Sequence, residues 1–224
     1  MRFTYSVIIP TLNAEGSLAK CLESIKTAGL FDDVVVVDGG SHDHTVSIAD
    51  KFLVKVIRAE KGRGRQFNEG AANVDGEILI FLHADTLLPA NARLIVEQKF
   101  SDPKVSVATF ALQFDHPHWI LSLYSCFTRI DSIWTRFGDQ GIVVRKSIFK
   151  ELGGFPNIPL FEDVQFLQKC RHKTRIYSLP SVVTTSADKF LRNGLVRQQL
   201  RNGRLIFKYL LGTSPETLCK EYER

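Results

Sequence analysis

Several short stretches place carboxylates, an imidazole or guanidiniums where a hydrophobic segment stops. Glu77-Ile-Leu-Ile-Phe-Leu runs straight into His83-Ala84-Asp85. Residues i and i+2 lie on the same side of an extended chain, so His83 and Asp85 can converge on one ligand. A carboxylate and an imidazole suit a divalent cation bridging a diphosphate. Asp38 follows Val34-Val35-Val36-Val37 and precedes Gly39-Gly40-Ser41. A carboxylate at that point accepts hydrogen bonds from a nucleobase imide or a ribose hydroxyl. Glu162-Asp163 follows a loop containing Pro156 and Pro159, and a carboxylate pair entering a helix can hold a general base. Gly62-Arg63-Gly64-Arg65 sets two guanidiniums on a loop whose glycines let the backbone approach a phosphate.

Each stretch also has a purely structural reading. Asp38 and Asp85 fit turn and helix-cap positions. Glu162 and Asp163 complement a helix dipole, and the Gly-Arg loop fits a solvated basic turn. Gly138-Asp139-Gln140-Gly141 reads as a polar pocket wall or as a turn. The remaining histidines show no ligand spacing.

The elements that must position these groups alternate. Strands are predicted over 5–10, 34–37, 53–57 and 77–82, with helices over 15–28, 44–52, 65–73 and 91–100 between and after them. Short connections between such units mean a parallel sheet covered on both faces. Ligands of open parallel sheets sit beyond the carboxyl ends of the strands, where Thr11, Asn13, Asp38, the Gly-Arg loop, His83 and Asp85 fall. The second half is less regular. Strands are expected over 105–114, 142–145, 175–179 and 182–185. Helices are expected over most of 118–136 and over 147–152 and 162–170. A long amphipathic helix over 189–211 is interrupted by Gly194 and Gly203.

The chain has 224 residues, 44% of them hydrophobic and 24% charged, which excludes a largely disordered chain, a collagen or a coiled coil. The net charge of +5 permits attraction to phosphates, nucleic acid or an anionic membrane without choosing among them. Four widely spaced cysteines form no Cys-x-x-Cys pair and read as buried free thiols of a reducing compartment. The first apolar run stops at Pro10, too short for a signal-peptide core, and no stretch approaches a membrane span. A cytoplasmic protein is the expectation. Peripheral membrane contact is open through the last helix, where Lys189, Arg192, Arg197, Arg201, Arg204 and Lys208 alternate with apolar residues.

Taken in order, the motifs resemble the family 2 glycosyltransferases of GT-A fold. They are Val7-Ile8-Ile9-Pro10-Thr11-Leu12-Asn13-Ala14-Glu15, Val36-Val37-Asp38-Gly39-Gly40-Ser41 and Gly64-Arg65-Gln66-Phe67-Asn68-Glu69-Gly70-Ala71. Then follow His83-Ala84-Asp85 in the place of Asp-x-Asp, Glu151-Leu152-Gly153-Gly154-Phe155 and Glu162-Asp163. The resemblance implies an α/β fold with a Rossmann-like, mostly parallel central sheet, helices on both faces and a C-terminal amphipathic helix. Residues 1–224 would form one domain, with a nucleotide-binding half over 1–100, an acceptor half over 101–186 and a helical extension over 187–224.

The same resemblance implies inverting transfer of a single sugar from a nucleoside-diphosphate sugar, a UDP-sugar foremost, to an unidentified acceptor hydroxyl. Pro10, Thr11, Asn13, Glu15 and Asp38 would line the nucleoside site, and Arg65 would reach the base or diphosphate. Ala84 would belong to the nucleotide-sugar site, and Asp139 and Gln140 would sit near the sugar or acceptor. Asp85 would ligate Mg2+ or Mn2+, with His83 as a second contact, and Asp163 would serve as general base oriented by Glu162. No nucleic acid partner is expected. His83 departs from the family pattern and puts metal dependence in question. Gln198-Gln199-Leu200-Arg201 is followed by Asn202, so the Gln-x-x-Arg-Trp motif of processive members is absent.

Two other classes fit parts of the pattern. A sugar nucleotidyltransferase would want its Gly-Arg loop right after the first strand, where Thr11-Leu12-Asn13 stands instead. A non-catalytic module would use the basic helix for nucleic acid or membrane.

Overall fold

The computed structural model describes residues 3–29 and 33–223. The first half folds as alternation predicts. Strands β1 (Tyr5–Thr11), β2 (Val34–Asp38), β3 (Lys55–Arg58) and β4 (Ile78–Phe81) run parallel in the spatial order β3-β2-β1-β4. Helices α1 (Leu18–Thr27), α2 (Thr45–Lys51) and α3 (Arg63–Ala72) make the crossovers. Beyond β4 the sheet continues through β7 (Ile142–Arg145), β6 (Val107–Phe114), β8 (Ile176–Thr185) and the two-residue β5 (Thr86–Leu87). Only β7 and β5 run against the rest, so the eight-stranded sheet is mostly parallel, as expected.

Alternate residues of the central strands feed two cores. Val7, Ile9, Val34 and Val36 face Leu18, Leu22 and Ile25 of α1, together with Phe100 of α4 (Ala92–Phe100). Ile8, Val35 and Val37 face the other side, against Phe67 of α3. Burial on both faces explains the unbroken valine run of β2. Helix α3 lies close on β1: a Cβ at Gly70 would stand 2.3 Å from Ile8 Cγ2. The second core is an aromatic cluster. Phe155 stacks on Phe67 with centroids 4.9 Å apart and on Phe166 at 4.4 Å, with Phe81 and Phe149 alongside. Phe149 belongs to α6 (Lys146–Glu151) and Phe166 to α7 (Glu162–Lys173). Cys21 and Cys170 are buried as free thiols, whereas Cys126 is exposed.

Three expectations need correction. Helix α5 (Trp119–Phe127) ends well before residue 136. There Thr128 Oγ1 donates to Ser125 O and Thr135 Oγ1 to Ile130 O, so short hydroxyl side chains redirect the backbone into turns. The two strands expected over 175–185 are one strand, β8, with a register irregularity against β6 between Thr109 and Ala111. The terminal helix breaks at Gly194 (φ 83°) into α8 (Asp188–Asn193) and α9 (Leu195–Leu210), but Gly203 stays helical. A further helix, α10 (Pro215–Glu223), follows. Leu160, Leu205 and Leu218 form a small core that pins α9 and α10 to the loop before α7. Among the described residues, no helix is long and apolar enough to cross a membrane.

Candidate active site

The carboxyl ends of the parallel strands open on two connected hollows. The smaller, about 260 Å³, is lined by Arg63, His83, Asp85, Tyr124, Asp139 and Asp163, and is closed on its outer side by α8, α9 and α10. The larger, about 690 Å³, lies over Asn13, Ser17 and Lys20 and reaches Arg192. Asp85, Thr185, Ser186 and Lys189 border both.

Local structure sets each group. After Leu82 the chain turns sharply, with Thr86 N donating to His83 O at 3.1 Å. This leaves Asp85 exposed at the junction of the hollows. His83 stacks on Phe67 at 6.0 Å, and its Nε2 is buried without a hydrogen-bond partner. Burial and then the nearby Arg63 charge push the His83 pKa below the usual imidazole value, against the pull of Asp85 and Asp163, so the ring is neutral at pH 7.

Phe161, a non-glycine residue in the left-handed region (φ 67°, ψ 24°), turns the chain into α7. That conformation costs on the order of 1–2 kcal/mol and brings Glu162 and Asp163 into the first helical turn. Asp163 Oδ1 accepts from Val164 N at 2.8 Å and Oδ2 from Gly138 N at 2.6 Å. Glu162 is 1% exposed and meets Arg63 Nε at 2.7 Å. Burial raises the Glu162 carboxyl to about 7 despite the Arg63 charge.

Asp139 sits in a 3-10 turn (Gly138–Gln140) beside Asp163. Burial first, then repulsion from Asp163 and Asp85, lifts its carboxyl to about 7, and its Oδ1 is buried without a partner. His83 Nε2 and Asp139 Oδ1, both buried without a protein partner in one cavity, offer hydrogen-bonding capacity to a polar ligand. Lys189 closes the arrangement; burial, then Arg63 and Arg201, depress its pKa.

The sites expected from sequence divide into two groups. Asp85, His83, Asp139 and Asp163 converge on the smaller cavity, with Glu162 behind them through Arg63. Asn13 borders the larger hollow. Asp38 stands at the same sheet edge, but its carboxylate is occupied by its own chain. It accepts from Gly40 N at 3.1 Å, Ser41 N at 2.9 Å, Ser41 Oγ and Thr11 Oγ1. Burial works to raise its pKa, but these bonds prevail and hold it below the ordinary value. Glu15 accepts from His44 N and Asn13 from His42 N, so both lace the first loop to the second. Pro10 and Ala84 are buried; Gln140 Nε2 donates to Thr135 O, and its Oε1 is buried without a partner.

Arg65 lies outside both hollows, bonded to Glu60 and Asn157. Arg63 enters the cavity in its place, since two positions along α3 turn a side chain to the other side of the helix. Arg63, Tyr124 and Lys189 were not singled out for the site by sequence. Only Arg63, inside the Gly-Arg loop, carried a signal.

The family model for glycosyl transferase family 2 matches residues 6–136. The chain belongs to that family. It is 27% identical over 186 residues to the O-antigen chain rhamnosyltransferase RfbN of Salmonella typhimurium, covering 72% of this chain and 59% of that protein. It is 40% identical over 93 residues to a PGL/p-HBAD biosynthesis glycosyltransferase of Mycobacterium bovis, covering 38% of this chain and 36% of that one. The chain thus spans three-fifths or less of these two relatives. Among solved structures, it superposes on the mannosyltransferase PcManGT from Pyrobaculum calidifontis, in complex with GDP-Man and Mn2+, with a TM-score of 0.71. Identity is 20%, and 96% of this chain and 67% of that one are covered. Glucosyl-3-phosphoglycerate synthase from Mycobacterium tuberculosis, in complex with Mn2+, UDP and glucosyl-3-phosphoglycerate, gives a TM-score of 0.64 at 17% identity, covering 97% of this chain and 80% of that one. The fold of this family 2 chain is therefore that of the GT-A glycosyltransferases.

Proposed function

We propose that the chain transfers a single glycosyl unit from a nucleoside-diphosphate sugar to an acceptor hydroxyl with inversion at the anomeric carbon. The observation that carries this reading is the convergence of Asp85 and Asp163 on one cavity that opens into a larger cleft. The larger cleft takes the nucleoside and diphosphate, and the smaller takes the sugar and the attacking hydroxyl. Solved relatives hold GDP-Man or UDP at a site of the same fold, which supports a nucleotide-sugar donor.

In this mechanism Asp163 accepts the proton of the acceptor hydroxyl as that oxygen attacks the anomeric carbon. The bond from that carbon to the diphosphate oxygen breaks on the opposite side, and its electron pair leaves with the nucleoside diphosphate. Gly138 N and Val164 N hold the Asp163 carboxylate in place. Glu162 positions Arg63, whose guanidinium faces the cavity. Lys189, at the junction of the hollows, faces the leaving diphosphate.

The donor set suits a divalent cation completed by ligand oxygens. Asp85 offers a carboxylate whose one side-chain contact is with Thr86 Oγ1 at 3.4 Å, and His83 Nε2 is orphaned. Among the described residues no group of three or more His, Cys, Asp or Glu is placed to hold a metal by itself. Asp85, with His83 behind it, would hold Mg2+ or Mn2+. When bound, that ion offsets charge on the departing diphosphate.

A thermal-shift screen of UDP-, GDP- and dTDP-sugars with and without Mn2+ identifies the donor through a raised melting temperature. Anomeric coupling constants of the product then read its stereochemistry. Release of pyrophosphate from a nucleoside triphosphate, or retention at the anomeric carbon, would overturn the reading.

A further inference from the structure

Helix α9 carries three rows of side chains with the same spacing, each offset by one residue. Gln198, Asn202 and Leu205 face the catalytic cavity. Arg197, Arg201, Arg204 and Lys208 form the second row. Val196, Leu200, Gly203 and Phe207 form the third, and Leu211 continues it just past the helix. A spacing of i, i+4, i+7, i+11 keeps each set on one stripe of a helix. The third row is not a core face: Leu200 is 69% exposed, Phe207 55% and Leu211 71%. The basic row borders a groove toward α10 in which Arg192, Arg197, Arg201, Arg204 and Lys220 surround a single carboxylate, Glu221. Arg204 and Lys208 share Glu221 at 3.0 and 2.6 Å, Arg192 meets Asp188 at 3.9 Å, and Arg201 donates to the Glu221 and Tyr222 carbonyls, so the cations on this face outnumber the carboxylates that pair with them.

An exposed apolar stripe fixed beside a cationic stripe is the pattern of a helix lying in the plane of a membrane surface. An exposed apolar stripe by itself would equally suit a second copy of this chain. The charge decides between them, because mating two copies of this face would bring the cationic rows together. An anionic lipid surface complements both stripes at once. Helix α5, packed against α9, presents a further exposed apolar row, with Trp119 71% and Leu123 52% exposed. We infer that α9 docks this protein on the surface of an anionic bilayer, apolar row in the interface and basic row on the headgroups. Its third face, about 200° around the helix from the apolar row, stays on the cavity, so α9 lies between the catalytic cleft and the lipid surface.

The test is co-sedimentation of the full chain with vesicles of phosphatidylcholine alone and of phosphatidylcholine mixed with phosphatidylglycerol. Binding to the mixed vesicles that weakens with added salt is expected, with little binding to phosphatidylcholine alone. Arg197→Gln should lower partition roughly fivefold, and Leu200→Glu roughly tenfold or more. Both variants should keep the wild-type melting temperature, since neither side chain belongs to a core. Equal partition to both vesicle types, or no effect of Leu200→Glu, would overturn the inference. So would a concentration-dependent dimer in light scattering that Leu200→Glu dissolves, which would assign the face to self-association. The measurement needs no donor or turnover, so it stands or falls separately from the proposed reaction.

Discussion

The backbone N–H of Gly138 donates to Asp163 Oδ2 at 2.6 Å, tying the 3-10 turn to the first turn of α7. A Cβ on Gly138 would lie 3.0 Å from Asp163 Cβ, 3.1 Å from its Oδ2 and 3.3 Å from His83 Nε2. The 3-10 turn and α7 therefore meet at a residue without a side chain. Gly138→Ala is expected to push the carboxylate aside. Its stability cost should be modest, about 1–3 kcal/mol, while its effect on turnover should be far larger than that figure implies. Denaturant midpoints and steady-state rates on the same preparation check this. Wild-type turnover in the alanine variant would show that the close approach has no catalytic consequence.

Asp163→Asn keeps the shape of the side chain and removes its capacity to take a proton. Turnover should fall by roughly 10²–10⁴, with donor affinity nearly unchanged. Calorimetric titration of the donor beside a rate measurement separates the two quantities. A variant with full activity removes the assignment of the base.

Asp85 stands exposed where the two hollows join. Asp85→Ala should raise the donor KM and blunt the response of donor binding to Mn2+. The check is a Mn2+ titration of donor binding in wild type and variant. If the two titrations coincide, Asp85 is not the cation ligand.

The pH dependence of stability has a definite sign. Burial lifts the Asp139 and Glu162 carboxyls to about 7, above their ordinary values near 4. The folded state therefore holds these protons more tightly than the unfolded chain does. Their contribution to stability is fully present below about pH 4 and is lost as pH rises toward about 7. Asp38, held below its ordinary value, acts in the opposite sense: its contribution is present above the unfolded value and lost in acid. The readout is the difference in melting temperature between wild type and Asp139→Asn. It should change most between pH 4 and 7 and flatten above that window. A difference that does not vary across the window would refute the buried, proton-retaining state of Asp139.

Much of the donor half was legible in sequence because its signals are local. Val34-Val35-Val36-Val37 is buried on both faces, and the strand ending at His83-Ala84-Asp85 delivers its polar residues to the sheet edge. Which residue of a motif enters the cavity was not legible. The Gly-Arg loop shows two arginines, and the phase of α3 decides that Arg63 enters while Arg65 bonds Glu60 and Asn157. Asp38 was readable as ligand or as turn, and its carboxylate accepts from four donors of its own chain at the sheet edge. The acceptor half was harder for a physical reason. Hydroxyl residues between Thr128 and Thr135 redirect the backbone by contacts that leave no periodicity. Lys189 reaches the cavity from α8, just after β8, a tertiary placement with no local signature.

The stretch matched by the family model ends at residue 136, whereas Gln198, Asn202 and Tyr222 build the outer wall of the cavity. In the proposed reaction Arg63 and Asp85 lie inside that stretch, whereas Asp163, Lys189 and the outer wall lie beyond it. If the proposed transfer holds, a change confined to residues 195–224 would alter recipient choice while leaving Arg63, Asp85, Asp163 and Lys189 in place.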